Sequence, residues 1–269
     1  ALVGDDSTAK SSTVPSSSEM AMAEVGLTVL SPSDAQDVLV LGRHGIALSR
    51  FCGLWTGLKL ATNVVDGAMT VDLDATAVTP VIPDNTIDGT PYRHTVSASF
   101  LQPHLAGLEE SLMNARPELA LRYARANGLN KIVGDRSARI GFVAHGATYL
   151  DTLRALSRLG IEADSPDSGV RVLKLGMVSP LEPIIVQEFA EGLDEIIVIE
   201  EKRPFVELLV KDVLYGRPDA PAVYGKRGPS GEALVRATGD LPPEVIAKAI
   251  SPRVEAVSPV LVQVDPATQ

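Results

Sequence analysis

Three short stretches of this 269-residue chain bring together side chains that could do chemistry. Asp5-Asp6 follows the apolar run Ala1-Leu-Val3. Two adjacent acids suggest a metal-binding pair, although on a loop such a pair more often forms a solvated turn. His145-Gly-Ala-Thr148 stands where a strand gives way to a helix, the place where open sheets bind anions at a helix N-terminus. The plainer alternative is that Ala147 or Thr148 begins the helix and His145 lines a subunit contact. Glu200-Glu-Lys-Arg203 closes an apolar run. Paired carboxylates can share a proton in acid–base catalysis. Read structurally, Glu200, Glu201 and Arg203 make ion pairs and hydrogen bonds to a neighbouring chain.

Generic catalytic patterns are absent from the sequence. His44, His94, His104 and His145 form no i,i+4 pair for a metal, and no metal site is expected. Gly53…Gly57-Leu-Lys59 lacks the spacing of a phosphate-wrapping loop, no Gly-x-Gly-x-x-Gly follows a strand, and no Gly-x-Ser-x-Gly elbow is present. The single cysteine, Cys52, allows neither an internal disulfide nor a cluster needing four thiolates, and reads as a small buried hydrophobe.

The elements that must position these residues follow a β-α rhythm. Ser18 is placed to cap a helix through Glu24, Leu27–Leu30 is β-rich, and Ser31-Pro-Ser-Asp34 starts a helix lasting to Gly53. Leu54–Leu60 reads as a strand covered on both faces, and Val65–Val81 as extended. From Pro80 to Phe100, prolines and turn residues mark a surface linker, and Leu105–Asn127 is helical with Pro117 splitting it or opening its second piece. Strands are then expected at Arg139–Ala144, Val170–Leu175 and Glu195–Glu200. Helices are expected at Ala147–Leu159, from a capping box Ser179-Pro-Leu-Glu182 to Glu191, at Pro204–Leu214 and at Pro243–Ile250. Three β-α units without hairpins predict a doubly wound parallel sheet with helices on both faces.

A hydrophobic content of 45% is ample for real cores, and a net charge of −10 argues against nucleic-acid or anionic-membrane surfaces. No apolar run approaches the ~20 residues of a membrane helix. Cytoplasm is the default compartment.

Longer motifs add what spacing cannot. Gly4-Asp-Asp-Ser-Thr-Ala-Lys-Ser-Ser-Thr-Val-Pro15, Gly42-Arg-His-Gly45 through Gly57-Leu-Lys59, Arg125-Ala-Asn-Gly-Leu-Asn130, Tyr149-Leu-Asp151, Lys174-Leu-Gly-Met-Val-Ser-Pro-Leu-Glu-Pro183, Val198-Ile-Glu-Glu-Lys-Arg203 and Gly225-Lys-Arg227 occur in one order. Together they resemble the thiamine-diphosphate-dependent 2-oxoacid:ferredoxin oxidoreductases, most closely the large single-chain indolepyruvate type. The likeness runs from about Gly4 to Leu241. Ser16-Ser17, Ala147 and Ser179 depart from the residues usual there.

The resemblance implies an α/β chain whose residues 1–80 are the C-terminal part of a pyrimidine-binding doubly wound parallel sheet. Residues 81–134 would be a linker with helices, 135–250 a transketolase-C-terminal-like doubly wound domain, and 251–269 a connector. It also implies an interior piece of an enzyme that converts 2-oxoacids, indolepyruvate or other aryl pyruvates, to acyl-CoA and passes electrons through iron–sulfur clusters to ferredoxin. Thiamine diphosphate with magnesium, and 4Fe-4S clusters, would belong to the parent enzyme, a homo-oligomer. The piece itself would bind no cluster, contain no catalytic residue and be inactive alone. Asp5, Asp6, Ser11 and Ser12 would lie near the cofactor and substrate cleft. The alternative is a non-catalytic assembly or dimerisation module of a related pyruvate or branched-chain 2-oxoacid oxidoreductase.

Overall fold

The computed structural model describes residues 1–74 and 78–257. Its first half holds β1 (Leu2–Asp5), α1 (Glu19–Glu24), β2 (Thr28–Leu30), α2 (Ala35–Cys52), β3 (Thr56–Ala61) and α3 (Thr62–Val65). A small hairpin, β4 (Thr86–Ile87) and β5 (Thr90–Pro91), leads to α4 (His104–Glu110) and α5 (Arg116–Ala126). The second half holds β6 (Asn130–Gly134), β7 (Ile140–His145), α6 (Ala147–Arg158), β8 (Val170–Leu175) and β9 (Met177–Ser179). It continues with α7 (Pro183–Ala190), β10 (Glu195–Ile199), α8 (Val206–Leu214), β11 (Ala222–Tyr224) and α9 (Pro243–Val257).

The large sheet has the order β11-β10-β7-β8-β6. Its central strands pair in parallel, as three β-α units require. Every residue of β7 and β10 is buried, because α6 and α9 cover one face while α7 and α8 cover the other. This is the expected doubly wound α/β architecture. The smaller sheet runs β1-β3-β2-β9, with β1, β3 and β2 parallel. Asp34 in extended conformation accepts the Asp37 N–H at 2.8 Å to start α2, and Gly53 at φ 79° ends it. The apolar face of α2 packs with Leu58 of β3 and with Leu119 and Tyr123 of α5 in a third core.

Several expectations need correction. Asn130–Gly134, placed in the linker, is an antiparallel edge strand against β8. The segment after Val65 forms no strand among its described residues. Of the two expected roles of Pro117 the second holds: it opens α5 in its first turn, where its missing N–H costs little, and a π-helical turn over Ser111–Ala115 joins α5 to α4. Ser179 does not cap α7, since it is extended within β9. The cap is Glu182, whose carboxylate accepts the N–H groups of Ile184 and Ile185 at 3.0 and 2.8 Å. Finally, α9 runs past Ile250 through Pro252. Val254 is fully buried in the core under α6, and Arg253 donates to Glu195 of β10 at 2.8 Å. The expected connector therefore begins as helix, and its residues 258–269 lie outside the described residues.

Candidate functional site

The carboxyl ends of β1, β2 and β3 in the small sheet face those of β7 and β10 in the large one. Between them lies a cleft of about 480 Å³. Thr8 and Lys10 reach it from the loop after β1, Ser33 and Asp34 from the loop after β2, and Asn63 from α3. Ala147 and Arg154 line it from α6, and Glu201 from the end of β10. Open α/β sheets place ligands at such strand ends because the loops there leave the edge of the sheet free to approach.

Beneath the cleft is a buried polar seam. Lys59, on β3, pairs with Glu19 and lies 3.5 Å from Asp5, all three side chains being almost inaccessible. Asp5 also accepts the N–H and hydroxyl of Ser18 at 3.0 and 3.2 Å, and Glu19 accepts the Ser17 hydroxyl at 2.6 Å. Burial works to raise the Glu19 pKa, but the Lys59 charge and the hydrogen bonds from Lys59 and Ser17 hold it at about 2. Burial likewise opposes charge on Lys59, and Glu19 and Asp5 outweigh it, so its pKa is raised.

Two polar side-chain contacts join the facing strand ends beside the cleft, in addition to the Lys174–Asp37 ion pair at 2.5 Å between β8 and α2. The Ser7 hydroxyl donates to Glu201, and Ser31 Oγ lies 3.0 Å from His145 Nδ1. Burial, aided by the Lys59 charge, pushes the His145 pKa down to about 4, so the imidazole is neutral near pH 7. The turn after β7 is unusually tight. Gly146 adopts φ 55°, ψ −145°, and a Cβ there would lie 2.8 Å from Ser31 Oγ. Gly146→Ala is expected to cost about 1–3 kcal/mol in urea unfolding, from strained backbone and a displaced Ser31. An unchanged unfolding midpoint would show that the turn relaxes freely.

The structure sorts the residues singled out from sequence. Asp5 and Asp6 do not form a solvated turn: both are buried. Asp6 accepts the N–H groups of Lys10, Ser11 and Ser12. Ser11 and Ser12 are exposed on that loop, while its Thr8 and Lys10 line the cleft. His145 is buried within the chain, between the sheets. The Glu200 carboxylate is spent inside the chain as well, accepting the N–H groups of Phe205, Val206 and Glu207 at the start of α8. Burial pushes its pKa up to about 7, against these amides and the nearby Lys226 charge. Glu201 is half-buried at the cleft wall, and Arg203 is exposed. Cys52 is buried, which pushes its thiol pKa up to about 11, as suits a packing residue. Lys59, Glu19, Ser31 and Lys10 escaped sequence reasoning. A lysine between Leu58 and Leu60 in a covered strand was the available signal, because a buried ammonium requires a carboxylate partner. Among the described residues, no group of three or more His, Cys, Asp or Glu could hold a metal ion, and no helix is long and apolar enough to cross a membrane.

Comparison with known proteins agrees with this architecture. Residues 130–260 match the family model of the indolepyruvate oxidoreductase domain, and the match starts at the first residue of β6. The indolepyruvate oxidoreductase subunit IorA of Pyrococcus abyssi is 24% identical over 234 residues, covering 84% of this chain and 34% of that protein. The chain thus spans about a third of the length of this curated relative. Among solved structures, 2-oxoglutarate:ferredoxin oxidoreductase from Magnetococcus marinus, with 2-oxoglutarate, coenzyme A and succinyl-CoA bound, superposes with TM-score 0.59. It shares 14% identity and covers 94% of this chain and 48% of its own. A split gene transketolase, an inactive beta4 tetramer, gives TM-score 0.52 at 12% identity over 95% of this chain and 66% of its own. These two likenesses speak for the fold.

Proposed function

Because the chain belongs to the indolepyruvate oxidoreductase family, we propose that it serves a cytoplasmic enzyme that oxidatively decarboxylates a 2-oxoacid, an aryl pyruvate, with coenzyme A and ferredoxin as partners. The observation that supports this reading is the cleft formed where strand ends of both sheets face each other, walled by Thr8, Lys10, Arg154 and Glu201. Thiamine diphosphate, when bound with magnesium, supplies the carbanion chemistry of such a decarboxylation. The residues present here do not fit its diphosphate and metal. The described residues offer no metal-ligand cluster, and the sequence contains no Gly-Asp-Gly segment. With one cysteine, the chain cannot supply four thiolates to a 4Fe-4S cluster. These groups would be held by other parts of the full-length enzyme.

This chain's own part is to shape and charge one wall of the reaction space. Asp5, Lys59 and Glu19 fix the floor, Ser7–Glu201 and Ser31–His145 hold the two sheets at one distance, and α6 presents Ala147 and Arg154. The pyrimidine-binding assignment of residues 1–80, and the homo-oligomer, belong to the same proposal. A second reading, an assembly module remote from the chemistry, is favoured by the seam's charged side chains pairing within the chain, Lys59 with Glu19 and Asp5.

In the full-length enzyme, Ala147→Trp should fill the cleft and lower 2-oxoacid-dependent ferredoxin reduction at least about tenfold, with folding and oligomeric state kept. Unchanged turnover would favour the assembly reading. The isolated chain is expected to show no turnover and no heat of binding with thiamine diphosphate and Mg²⁺. Micromolar affinity in that calorimetry would mean that a diphosphate site had been missed.

A further inference from the structure

We propose that Asp6 is a positioning residue for the cleft, holding the Thr8–Ser12 loop so that Lys10 offers its charge to an oxyanion of the ligand. The inference rests on the cleft being the ligand's site, as proposed above.

The loop has no regular structure of its own, and one side chain organises it. Asp6 Oδ1 accepts the Lys10 N–H at 2.9 Å, while Oδ2 accepts the N–H groups of Ser11 and Ser12 at 2.8 and 2.6 Å and the Ser11 hydroxyl at 3.3 Å. Its main chain ties the loop's two ends: the Asp6 carbonyl accepts from Ala9 and Ser16 at 3.2 and 3.0 Å, and its N–H donates to Ser16 Oγ at 3.0 Å. Ala9 is held at φ 54°, a region that costs an alanine free energy, so the loop is kept in a shape the free chain would leave. Burial works to raise the Asp6 pKa, but the Ser11, Ser12 and Lys10 amides keep it well below the usual carboxylate range, so the carboxylate is ionised near neutral pH.

The loop carries Lys10 to the cleft. The acids around it are already engaged: Asp34 caps α2, Asp151 pairs with Arg154, Asp240 with Arg236, and Glu201 accepts from Ser7. Lys10 makes no ion pair within 4.0 Å among the described residues, acts on Asp151 only as a nearby charge, and is exposed at the cleft wall. An ammonium in that setting recognises a carboxylate or a phosphate. The 2-oxoacid carboxylate and the phosphates of the acyl acceptor are the two sources of that chemistry.

The test uses the full-length enzyme with Lys10→Gln, Asp6→Asn and the double variant, following KM for 2-oxoacid and for coenzyme A separately, with kcat. Lys10→Gln should raise one of the two KM values about tenfold, and which one rises identifies the source of the oxyanion. Asp6→Asn should raise the same KM with kcat within about twofold, and speed hydrogen exchange at the amides of Lys10, Ser11 and Ser12. The double variant should be no worse than Lys10→Gln, because Asp6 acts through Lys10. Additive effects, or loosened amides with KM unchanged in Asp6→Asn, would overturn the positioning role while leaving the cleft reading intact. No kinetic change in Lys10→Gln would remove the cleft reading and the inference with it. If Asp6→Asn does not fold, Ser12→Pro deletes one of the three backbone donors and keeps the carboxylate. It must raise the same KM, and an unchanged value would overturn the proposal.

Discussion

Replacing Lys59 by methionine is expected to cost the fold about 3–5 kcal/mol, because it keeps the stem and strands two buried carboxylates without their counter-charge. Asp5 and Glu19 are 1% and 6% accessible at the side chain, so water cannot take over. Urea unfolding with an unchanged m-value measures the loss, and Lys59→Met/Glu19→Gln should recover part of it. A loss below about 1 kcal/mol would mean that the seam is wet or unpaired.

The pH dependence has a definite sign. Glu19 titrates at about 2 in the fold against 4.5 unfolded, so its stabilisation is complete above pH 4.5 and is lost as pH falls toward 2. Lys59 is raised above 10.5, so its share is complete below that pH and is lost as pH rises through its folded value. His145 is depressed from 6.5 to about 4, so its share of the stability falls as pH drops through 6.5 toward 4, while Glu200, raised from 4.5 to about 7, contributes with the opposite sign as pH drops from 7 toward 4.5. In Lys59→Met, the stranded acids are relieved by protonation. The deficit relative to wild type should therefore shrink below about pH 4.5.

Arg171→Met is the second large effect, expected at about 3–5 kcal/mol. The guanidinium of Arg171, 4% accessible on β8, donates to the carbonyls of Asp135 at 3.2 Å, Phe189 at 2.8 Å, Glu191 at 2.9 Å and Arg136. It thereby stitches the loop after β6 to the end of α7. Methionine fills the stem's volume and takes the guanidinium donor from all four carbonyls; Asp135 keeps the Ala138 N–H at 3.3 Å, and each acceptor left bare costs about 1–3 kcal/mol before the surroundings relax. Arg171→Lys should rescue only part, since a point ammonium cannot span a planar fork of acceptors. Denaturation combined with hydrogen exchange over α7 checks both variants. A loss confined to α7, with the global midpoint unchanged, would show a local clasp rather than a determinant of the whole fold.

The large sheet was legible because its strands bury both faces. Ile140–Ala144 and Ile196–Ile199 are runs without a charged residue, and Val170–Leu175 is rich in Val and Leu with only Arg171 and Lys174 charged, the pattern of strands covered on both faces. Its edge was not: Asn130–Gly134 is half-buried and mixed in character, so periodicity gave no sign of it. The end of α9 was misread because local propensity opposes a helix through Pro252, while the burial of Val254 and the Arg253–Glu195 pair decide it. At the cleft, the sequence pointed to the loop after β1 and to the end of β10, and Glu201 lines the cleft, whereas Thr8, Lys10 and Arg154 had no local signal. Asp5-Asp6 read as exposed because acids usually are, and only the folded chain shows which amides surround them. Lys10 and Glu201 meet at one cleft from positions 191 residues apart, a proximity that no local pattern encodes.

Strand β9 has a consequence for how the molecule can be cut. It leaves β8 after Gly176 alone and lies antiparallel beside β2, so a segment of the second half closes the exposed side of the first half's sheet. Gly176 permits this because a Cβ there would sit 2.3 Å from the Leu129 carbonyl oxygen. Any gene division or proteolytic nick that separates residue 80 from residue 177, followed by dissociation, would strip β2 of a neighbour and leave an unpaired strand edge prone to self-association. The halves should melt as one cooperative unit, and fragments made at the intervening loop should be recovered only when co-expressed.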